Sequence, residues 1–553
     1  MDFKKNQFPN STHAVMNDWI ILLFILLFSL SLRFLTMMAD PPAGDLSRSA
    51  AFLADEGTWA INAMEWALTG DWYIPNAYNP GAIVPIFMLF EYFIFKLGGV
   101  NLAALRLGFI FISLCSQILL YIILKNNSKK NSSYCAHLTV LFSAIAFPLV
   151  IFNRLAFLEN VQIFFMLLTV YSLLKYLKFS KFLWLAATYL SFFLGFLTKP
   201  SMIFFLGLII IMAIVLKPHK LKVFILYSLS FLMPFSIFLW FWYNTYIGDW
   251  TFFTQSIVGP RLSTVPTIMS SFFKTIAHLK FFEFMPIMYG LALIKLFQNL
   301  NAFMRDRQSV SHVQSLLSLW FILGILYVGF SSYSPPRYSL VLLPAICGLA
   351  ASFFSGTIQK ISLFQFIILI GIISFQCVFG LYRLIVLDNL FPSVFLPWLA
   401  LFAVLFIYSA NRGPIRYHWL KSALFLSIAI VSSLQIIHYY STATFSMLSA
   451  MKTVKQQVAK DGYENPVIAG DSGPIMALYA GVRTVDIMFR QENLETLVQE
   501  RKPQYLFLED PRELKRLKLQ VPGYWDKIEL LSSQPLLNNY IHGQNSVFYK
   551  ITQ

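Results

Sequence analysis

The chain contains 553 residues, of which 57% are hydrophobic and only 12% are charged. An average soluble domain has roughly 45–50% apolar and roughly 25% charged residues, so this composition excludes a soluble globule. The formal net charge is +16, but the Lys and Arg residues form short clusters between apolar segments, as in the cytoplasmic loops of membrane proteins. We therefore predict that the chain partners a lipid bilayer and binds no nucleic acid.

Apolar segments of about 20 residues recur along most of the chain, and each can cross a hydrocarbon layer about 30 Å thick. They predict a polytopic α-helical membrane protein with about 13 transmembrane helices in residues 1–440. The predicted spans are residues 19–38, 102–124, 134–152, 161–177, 184–197, 202–216, 224–243, 284–297, 316–329, 340–354, 364–382, 395–409 and 424–438.

The charges around the first span predict its orientation. Lys4 and Lys5 precede it, whereas Asp40 and Asp45 follow it. Basic residues are retained in the cytoplasm, so we predict a cytoplasmic amino terminus and an extracytoplasmic carboxyl terminus in the inner or plasma membrane. No small-residue cleavage site follows the span, which indicates a retained helix rather than a signal peptide.

The first outer loop, residues 39–101, is long for a connection and is therefore a candidate functional loop. It contains the adjacent acids Asp55 and Glu56 within a predicted helix at residues 47–69, which Gly70 ends. A carboxylate near apolar surroundings is costly unless it pairs or takes part in chemistry. This pair is therefore the first functional candidate.

A second apolar segment of this loop, residues 83–97, either crosses the membrane or lies at its outer interface. It is short and carries Glu91 and Lys96. If it does not cross, the span at residues 102–124 delivers Lys125 to the cytoplasm, as the charge rule requires. We therefore predict a juxtamembrane helix.

Beyond residue 440 the composition becomes that of a soluble domain, residues 441–553. Alternating strands and helices predict a small extracytoplasmic α/β domain with a mainly parallel sheet. The predicted strands are residues 465–471, 484–487 and 504–509, and the helices are residues 474–480 and 494–501. We find no phosphate-binding glycine fingerprint here, which favours a supporting or acceptor-guiding role for the domain. We interpret Asp471 as a turn residue.

Cysteine and histidine patterns give no indication of a disulfide or a metal site. The cysteines lie inside apolar segments without ligand-like spacing, which is typical of core residues. They are Cys115, Cys135, Cys347 and Cys377. The histidines form no i, i+4 pair, so we predict no metal site and no required cofactor.

The predicted topology brings further charged and aromatic side chains to the outer membrane boundary. Cations and carboxylates in such a position can bind an anionic headgroup and activate a nucleophile. The residues are Arg106, Glu159, Lys199, Arg337 and Tyr338, in addition to Asp55 and Glu56.

Several ordered sequence pieces carry a resemblance to a known family. They are Asp-Glu at 55–56, Gly-Asp-Trp-Tyr-Ile-Pro at 70–75, Ala-Leu-Arg-Leu at 104–107, Arg-Leu-Ala-Phe-Leu-Glu at 154–159, Gly-Phe-Leu-Thr-Lys at 195–199, and Pro-Arg-Tyr at 336–338 with Pro344. With these pieces the chain resembles the C superfamily of membrane glycosyltransferases, close to the protein O-mannosyltransferase and aminoarabinose (lipid A) transferase group. The resemblance covers residues 19–350, and the trailing soluble domain also agrees.

This resemblance implies transfer of one sugar, a hexose or a pentose, from a polyprenyl-phosphate donor to an acceptor on the outer side. The acceptor is a glycan, a lipid or a protein. Attack by an acceptor hydroxyl proceeds through an oxocarbenium-like transition state while the lipid phosphate leaves. The base mechanism needs no metal, although some distant relatives with paired acids bind a divalent ion.

The resemblance also implies roles for individual residues. Asp55 is expected to be the general base, and Glu56 and Glu159 are expected to orient groups or contact the acceptor. The expected donor-phosphate ligands are Arg106, Lys199, Arg337 and Tyr338.

Two departures from the family pattern affect these expectations. Lipid A transferases carry an acidic-basic pair ahead of a double proline, whereas this chain has Tyr-Asn-Pro-Gly at 78–81. The sequence at that position therefore does not support the phosphate contact that the resemblance implies there. The second outer acid, often Asp in relatives, is Glu159, which is one methylene longer.

Structural roles compete with each of these assignments. The adjacent acids also suit a helix amino terminus, and Arg106 or Lys199 also suits snorkelling to the interface. Glu159 also suits a helix cap or an ion pair with Arg154. Arg and Tyr, as at 337–338, are common interface anchors.

Two other function classes compete with a lipid-linked sugar transferase. A transporter or flippase of lipid-linked glycan intermediates also needs many spans, but such proteins have broken helices near the midplane and related halves. An assembly factor would leave the outer charges unexplained. The concentration of polar residues at one face favours the transferase.

Overall fold

A computed structural model describes residues 11–41, 55–127, 132–216, 221–247, 285–306, 310–329, 336–355, 417–487, 494–534 and 546–552. Within these ranges the chain forms a helical membrane part and, at its carboxyl end, a domain with one five-stranded sheet. Seven of the described helices are long and apolar enough to cross a membrane. The protein is therefore an integral, polytopic α-helical membrane protein, as predicted.

The membrane part follows the predicted apolar segments. Its α-helices are α1 (Ser11–Phe34), α2 (Asp55–Thr69), α3 (Pro80–Ile83), α4 (Pro85–Gly98), α5 (Leu102–Asn127), α6 (Ser132–Ile145), α7 (Phe147–Phe152), α8 (Leu158–Phe179), α9 (Phe182–Thr198), α10 (Phe204–Leu216), α11 (Leu221–Tyr246), α12 (Pro286–Arg305), α13 (His312–Gly329), α14 (Leu343–Ser355) and α15 (Tyr417–Thr442). Two 3₁₀ helices, Pro200–Ile203 and Pro336–Leu342, precede α10 and α14. The predicted spans at 364–382 and 395–409 lie outside the described residues, so the total of about 13 stays a prediction.

The predicted span at residues 134–152 is not one continuous helix, because the chain divides it into α6 and α7. Ala146 between them has an extended backbone, and Pro148 lies in the first turn of α7. Proline lacks an N–H group and clashes with the preceding helical turn, so it is tolerated at a helix start but not in the interior. α7 ends at Phe152, and the loop at residues 153–157 then leads to α8.

In the first loop, the predicted helix at 47–69 is observed from Asp55 onward, and residues 47–54 lie outside the described part. It ends before Gly70, whose φ of +93° is a conformation that side chains disfavour. The second apolar segment forms α4, which has 14 residues and therefore spans about 21 Å, less than the hydrocarbon thickness of about 30 Å. This length favours the predicted juxtamembrane helix.

The helices differ in which environment their apolar side chains meet. α1 and α11 expose large side chains such as Phe24 and Leu226, which suits contact with lipid tails. A buried core instead joins α5, α6, α8, α9, α12, α13 and α14, and includes Trp320 and Phe142. The bundle thus has a packed interior surrounded by lipid-facing surface.

The carboxyl-terminal domain has mixed rather than mainly parallel strands. The elements are α16 (Ser446–Asp461), β1 (Val467–Gly470), α17 (Gly473–Ala480), β2 (Arg483–Asp486), α18 (Leu494–Arg501), β3 (Tyr505–Leu508), α19 (Glu513–Gln520), β4 (Ile528–Gln534) and β5 (Ser546–Ile551). The strand order is β2-β1-β3-β5-β4. β1 pairs in parallel with β2 and β3, whereas β5 pairs antiparallel with β3 and β4. The antiparallel half comes from β4 and β5, which the sequence pattern did not indicate.

The soluble domain packs against the first loop of the membrane part. One hydrophobic core contains Ala60 and Met64 of α2 together with Ile475 of α17 and Phe507 of β3. Glu65 of α2 also forms ion pairs with two arginines of the domain, at 2.5 Å to Arg483 and 2.6 Å to Arg501. α2 is thus held between the membrane bundle and the soluble domain.

Candidate active site

Asp55 is the first residue of α2, and its side chain forms an ion pair with Arg337. The carboxyl group is 14% exposed. Burial raises the pKa of Asp55 above its ordinary value, and the neighbouring guanidinium of Arg337 opposes part of that rise. A carboxylate with a raised pKa is a stronger proton acceptor than an exposed aspartate.

A second acid and a second cation extend this pair. Glu159, in the first turn of α8, has its Oε1 3.9 Å from Nε of Arg337 and 2.5 Å from Nζ of Lys199. The order Asp55, Arg337, Glu159, Lys199 therefore alternates negative and positive groups. The structure thus brings together four predicted site residues from distant parts of the sequence.

Lys199 reaches this cluster because the chain breaks between α9 and the 3₁₀ helix that follows. Pro200 comes next, and the residue before a proline favours an extended backbone. Lys199 accordingly has φ −156° and ψ 117°. The break therefore places the Lys199 cation where the chain passes from α9 to the 3₁₀ helix that precedes α10.

Aromatic rings cover the two cations. Nζ of Lys199 lies 3.7 Å from the ring centre of Tyr338, and the guanidinium carbon of Arg337 lies 5.2 Å from that of Phe157. Rings in these positions attract cations and exclude water, which strengthens electrostatic interactions in the site. Tyr338 therefore belongs to the cluster as a cation-contacting ring.

Glu56 forms a separate, fully buried ion pair with Arg106. Its Oε1 and Oε2 accept hydrogen bonds from Nε and Nη2 of Arg106 at 3.0 and 2.5 Å. Oε1 also accepts the backbone N–H of Ala156 at 2.9 Å. Glu56 thereby links α2 to α5 and to the loop before α8, which favours the orienting role predicted for it.

Arg106 is not placed where a donor-phosphate ligand would be expected. Its Nη1 donates to the carbonyl oxygens of Met37 and Ala39 at 2.7 and 3.0 Å, and the side chain is 1% exposed. Its remaining donors contact Glu56. The geometry favours a role in holding the loop after α1 and the start of α2, and it gives no support to the predicted phosphate contact.

Arg154 is a buried residue whose role the sequence pattern did not reveal. It donates to the carbonyl oxygens of Ala39 and Asp40, both at 2.7 Å, and to the hydroxyl of Tyr439. The alternative pairing of Glu159 with Arg154 is therefore not the arrangement observed, since Glu159 pairs with Lys199. The sequence feature that could have indicated a role for Arg154 is its position at the start of the Arg-Leu-Ala-Phe-Leu-Glu piece at 154–159.

An acid of the soluble domain lies near the start of α2, since Glu509 interacts electrostatically with Asp55. Asp471 accepts backbone N–H groups from Ser472 and Glu509 at 2.7 and 2.9 Å, as expected for a turn residue. Burial and the proximity of Asp471 raise the pKa of Glu509. Among the residues that the structure describes, no group of three or more His, Cys, Asp or Glu has a metal-binding arrangement.

Known proteins are similar to this chain in part of its sequence and in its fold. A family model described as dolichyl-phosphate-mannose-protein mannosyltransferase matches residues 80–242. The crystal structure of ArnT from Cupriavidus metallidurans bound to undecaprenyl phosphate is similar in fold, with a TM-score of 0.53 and 14% identity over 98% of each chain. Its apo state gives a TM-score of 0.56 at 14% identity, again over 98% of each chain. No curated protein matches by sequence.

Proposed function

We propose that this chain is a membrane glycosyltransferase of the C superfamily, and that it transfers a single sugar from a polyprenyl-phosphate donor to an acceptor hydroxyl or similar nucleophile on the extracytoplasmic side. The observation that carries the proposal is the cluster in which Asp55 and Glu159 alternate with Arg337 and Lys199. The matching mannosyltransferase model and the ArnT structure with undecaprenyl phosphate support the class of donor.

Asp55 acts in this reaction as the general base. It takes the proton of the acceptor hydroxyl while the acceptor oxygen forms a bond to the anomeric carbon of the sugar. The bond between that carbon and the phosphate oxygen breaks, and its electron pair leaves with the lipid phosphate. An alcohol is a weak nucleophile, so proton removal contributes about 10²–10⁴-fold to such reactions.

Arg337 and Lys199 stabilise the leaving phosphate. Both cations are paired with carboxylates in this structure, so an arriving phosphate competes for them and frees the oxygens of Asp55. Cations that neutralise charge developing on a leaving group act strongly in a site that excludes water. Tyr338 and Phe157 help to exclude water from this position.

The first test is the substitution Asp55→Asn, which keeps the shape of the side chain but removes the proton acceptor. We expect normal insertion into the membrane and a loss of sugar transfer of at least about 100-fold. Transfer is measured as glycosylated product per amount of membrane-inserted protein.

Asp71→Asn is the matched control, because Asp71 is an exposed aspartate shortly after α2. It should keep the transfer activity of the unsubstituted protein. Full activity in Asp55→Asn would remove Asp55 from the base role.

A further inference from the structure

Helix α17 of the soluble domain lies directly on the first turn of α2, at Gly57. A Cβ atom added to Gly57 would lie 2.6 Å or less from three backbone atoms: N and Cα of Ile475 and the carbonyl carbon of Pro474. Backbone atoms cannot move aside as the end of a flexible side chain can. Only glycine at this position allows the two helices to approach so closely.

Gly57 lies on the opposite side of α2 from Asp55. Two residues of an α-helix that are two positions apart differ by about 200° around the axis, so one of these positions faces α17 while the other faces Arg337. A change in the distance between α2 and α17 therefore moves the Asp55 carboxylate relative to its cationic partner. The contact at Gly57 sets this distance.

Further contacts keep α2 against the soluble domain along its length. Ala60 and Met64 share one buried core with Ile475. Near the other end of the helix, Glu65 pairs with Arg483 and Arg501. The domain thus contacts α2 at both ends, and the position of its first turn is not set by the membrane bundle alone.

The loop after α1 forms a second connection between the domain and the site. Asp40 accepts the backbone N–H groups of Ser446 and Met447 at the start of α16, at 2.8 and 3.0 Å. The same loop carries the carbonyl groups that bind Arg106 and Arg154. The soluble domain is therefore connected to the charged network that holds Glu56.

We propose that Gly57 is a positioning residue, and that its backbone contact with α17 makes the soluble domain part of the apparatus that places Asp55 for proton transfer. This inference rests on the function proposed above. In this arrangement the domain fixes the position of the Asp55 carboxylate relative to Arg337 and Lys199. The backbone atoms that meet Gly57 belong to Pro474 and Ile475, not to the two cations, so we expect donor-phosphate binding to be retained when this contact is lengthened.

Gly57→Ala tests the inference. The shortest of these distances is 2.2 Å, to N of Ile475, whereas ordinary contact distances are about 3.5–4.0 Å, so the two helices must separate by more than about 1 Å. A displacement of about 1 Å can reduce catalysis by about 100-fold, so we expect transfer to fall by at least about tenfold. Alanine favours the helical state more than glycine does, so loss of local helix formation does not explain such a result.

The matched control is Gly348→Ala in α14, where the added Cβ meets the side-chain atom Cδ1 of Leu317 at 2.8 Å. That side chain can move, so the control should keep its transfer activity. Binding of undecaprenyl phosphate and the melting temperature are measured for both variants in detergent. We expect the Kd for undecaprenyl phosphate to stay within about twofold of that of the unsubstituted protein. We expect the melting temperature to stay within a few degrees of the unsubstituted value.

Transfer in Gly57→Ala within twofold of Gly348→Ala would overturn the inference, and so would a loss of undecaprenyl phosphate binding that parallels the loss of transfer. If Gly57→Ala does not fold, Glu65→Gln decides: reduced transfer with unchanged binding supports the inference, and unchanged transfer overturns it. A protein that transfers no sugar without substitution contradicts the proposed function instead, which distinguishes the two failures.

Discussion

At the scale of single residues, the two adjacent acids have different partners because neighbouring positions in a helix point about 100° apart. Asp55 faces Arg337, whereas Glu56 faces Arg106. The sequence identified both acids and most of their partners. It did not reveal which cation each acid meets, because pairing depends on the rotation of α2 relative to helices far away in the chain.

Lys199 illustrates what the sequence did and did not predict. Its position at a membrane boundary, at the end of the Gly-Phe-Leu-Thr-Lys piece at 195–199, favoured a functional cation. Lys199 pairs with Glu159 and contacts the Tyr338 ring. These three residues lie in different elements, so the sequence predicted that they share one membrane boundary but not which of them are in contact. The alternative of simple snorkelling does not account for these buried contacts.

Lys199→Ala should weaken binding of undecaprenyl phosphate. A hydrogen bond to a charged group contributes about 1.5–3 kcal/mol, so we expect Kd to rise by roughly tenfold or more. Binding is measured with the purified protein in detergent. The control is Lys96→Ala, an exposed lysine of α4, and an unchanged Kd in Lys199→Ala would exclude the phosphate role.

At the scale of elements, apolar length predicted most helices, and local proline chemistry explains where it failed. Pro148 divides a span that is continuous in hydropathy. In the soluble domain, β1 and α18 were predicted closely, whereas β4 and β5 were missed. β5 pairs antiparallel both with the preceding strand β4 and with the more distant β3, and no local pattern shows which strands meet in this way.

The topology of α4 leads to a prediction at this scale. If α4 lies at the interface, α5 crosses from the outer to the inner side and a reporter fused after Asn131 is cytoplasmic. Activity is compared for alkaline phosphatase and green fluorescent protein fusions at this site. An active phosphatase fusion with a non-fluorescent partner would show that the segment at 83–97 crosses.

At the scale of the whole molecule, the membrane part and the soluble domain meet at α2. The sequence predicted both parts and a supporting role for the second. It did not predict that they share a hydrophobic core, or that Glu65 pairs with Arg483 and Arg501, because such contacts join residues more than 400 positions apart. The close approach at Gly57 was equally invisible, since a glycine in a helix carries no sign of what lies beside it.

The most direct test of the central claim, transfer of one sugar from a polyprenyl-phosphate donor, is mass spectrometry of surface lipids, glycans and proteins from cells with and without this protein. We expect one class of molecule to lose the mass of a single hexose or pentose unit when the protein is absent, and to regain it with the unsubstituted protein but not with Asp55→Asn. Identical spectra in the presence and absence of the protein would contradict the account.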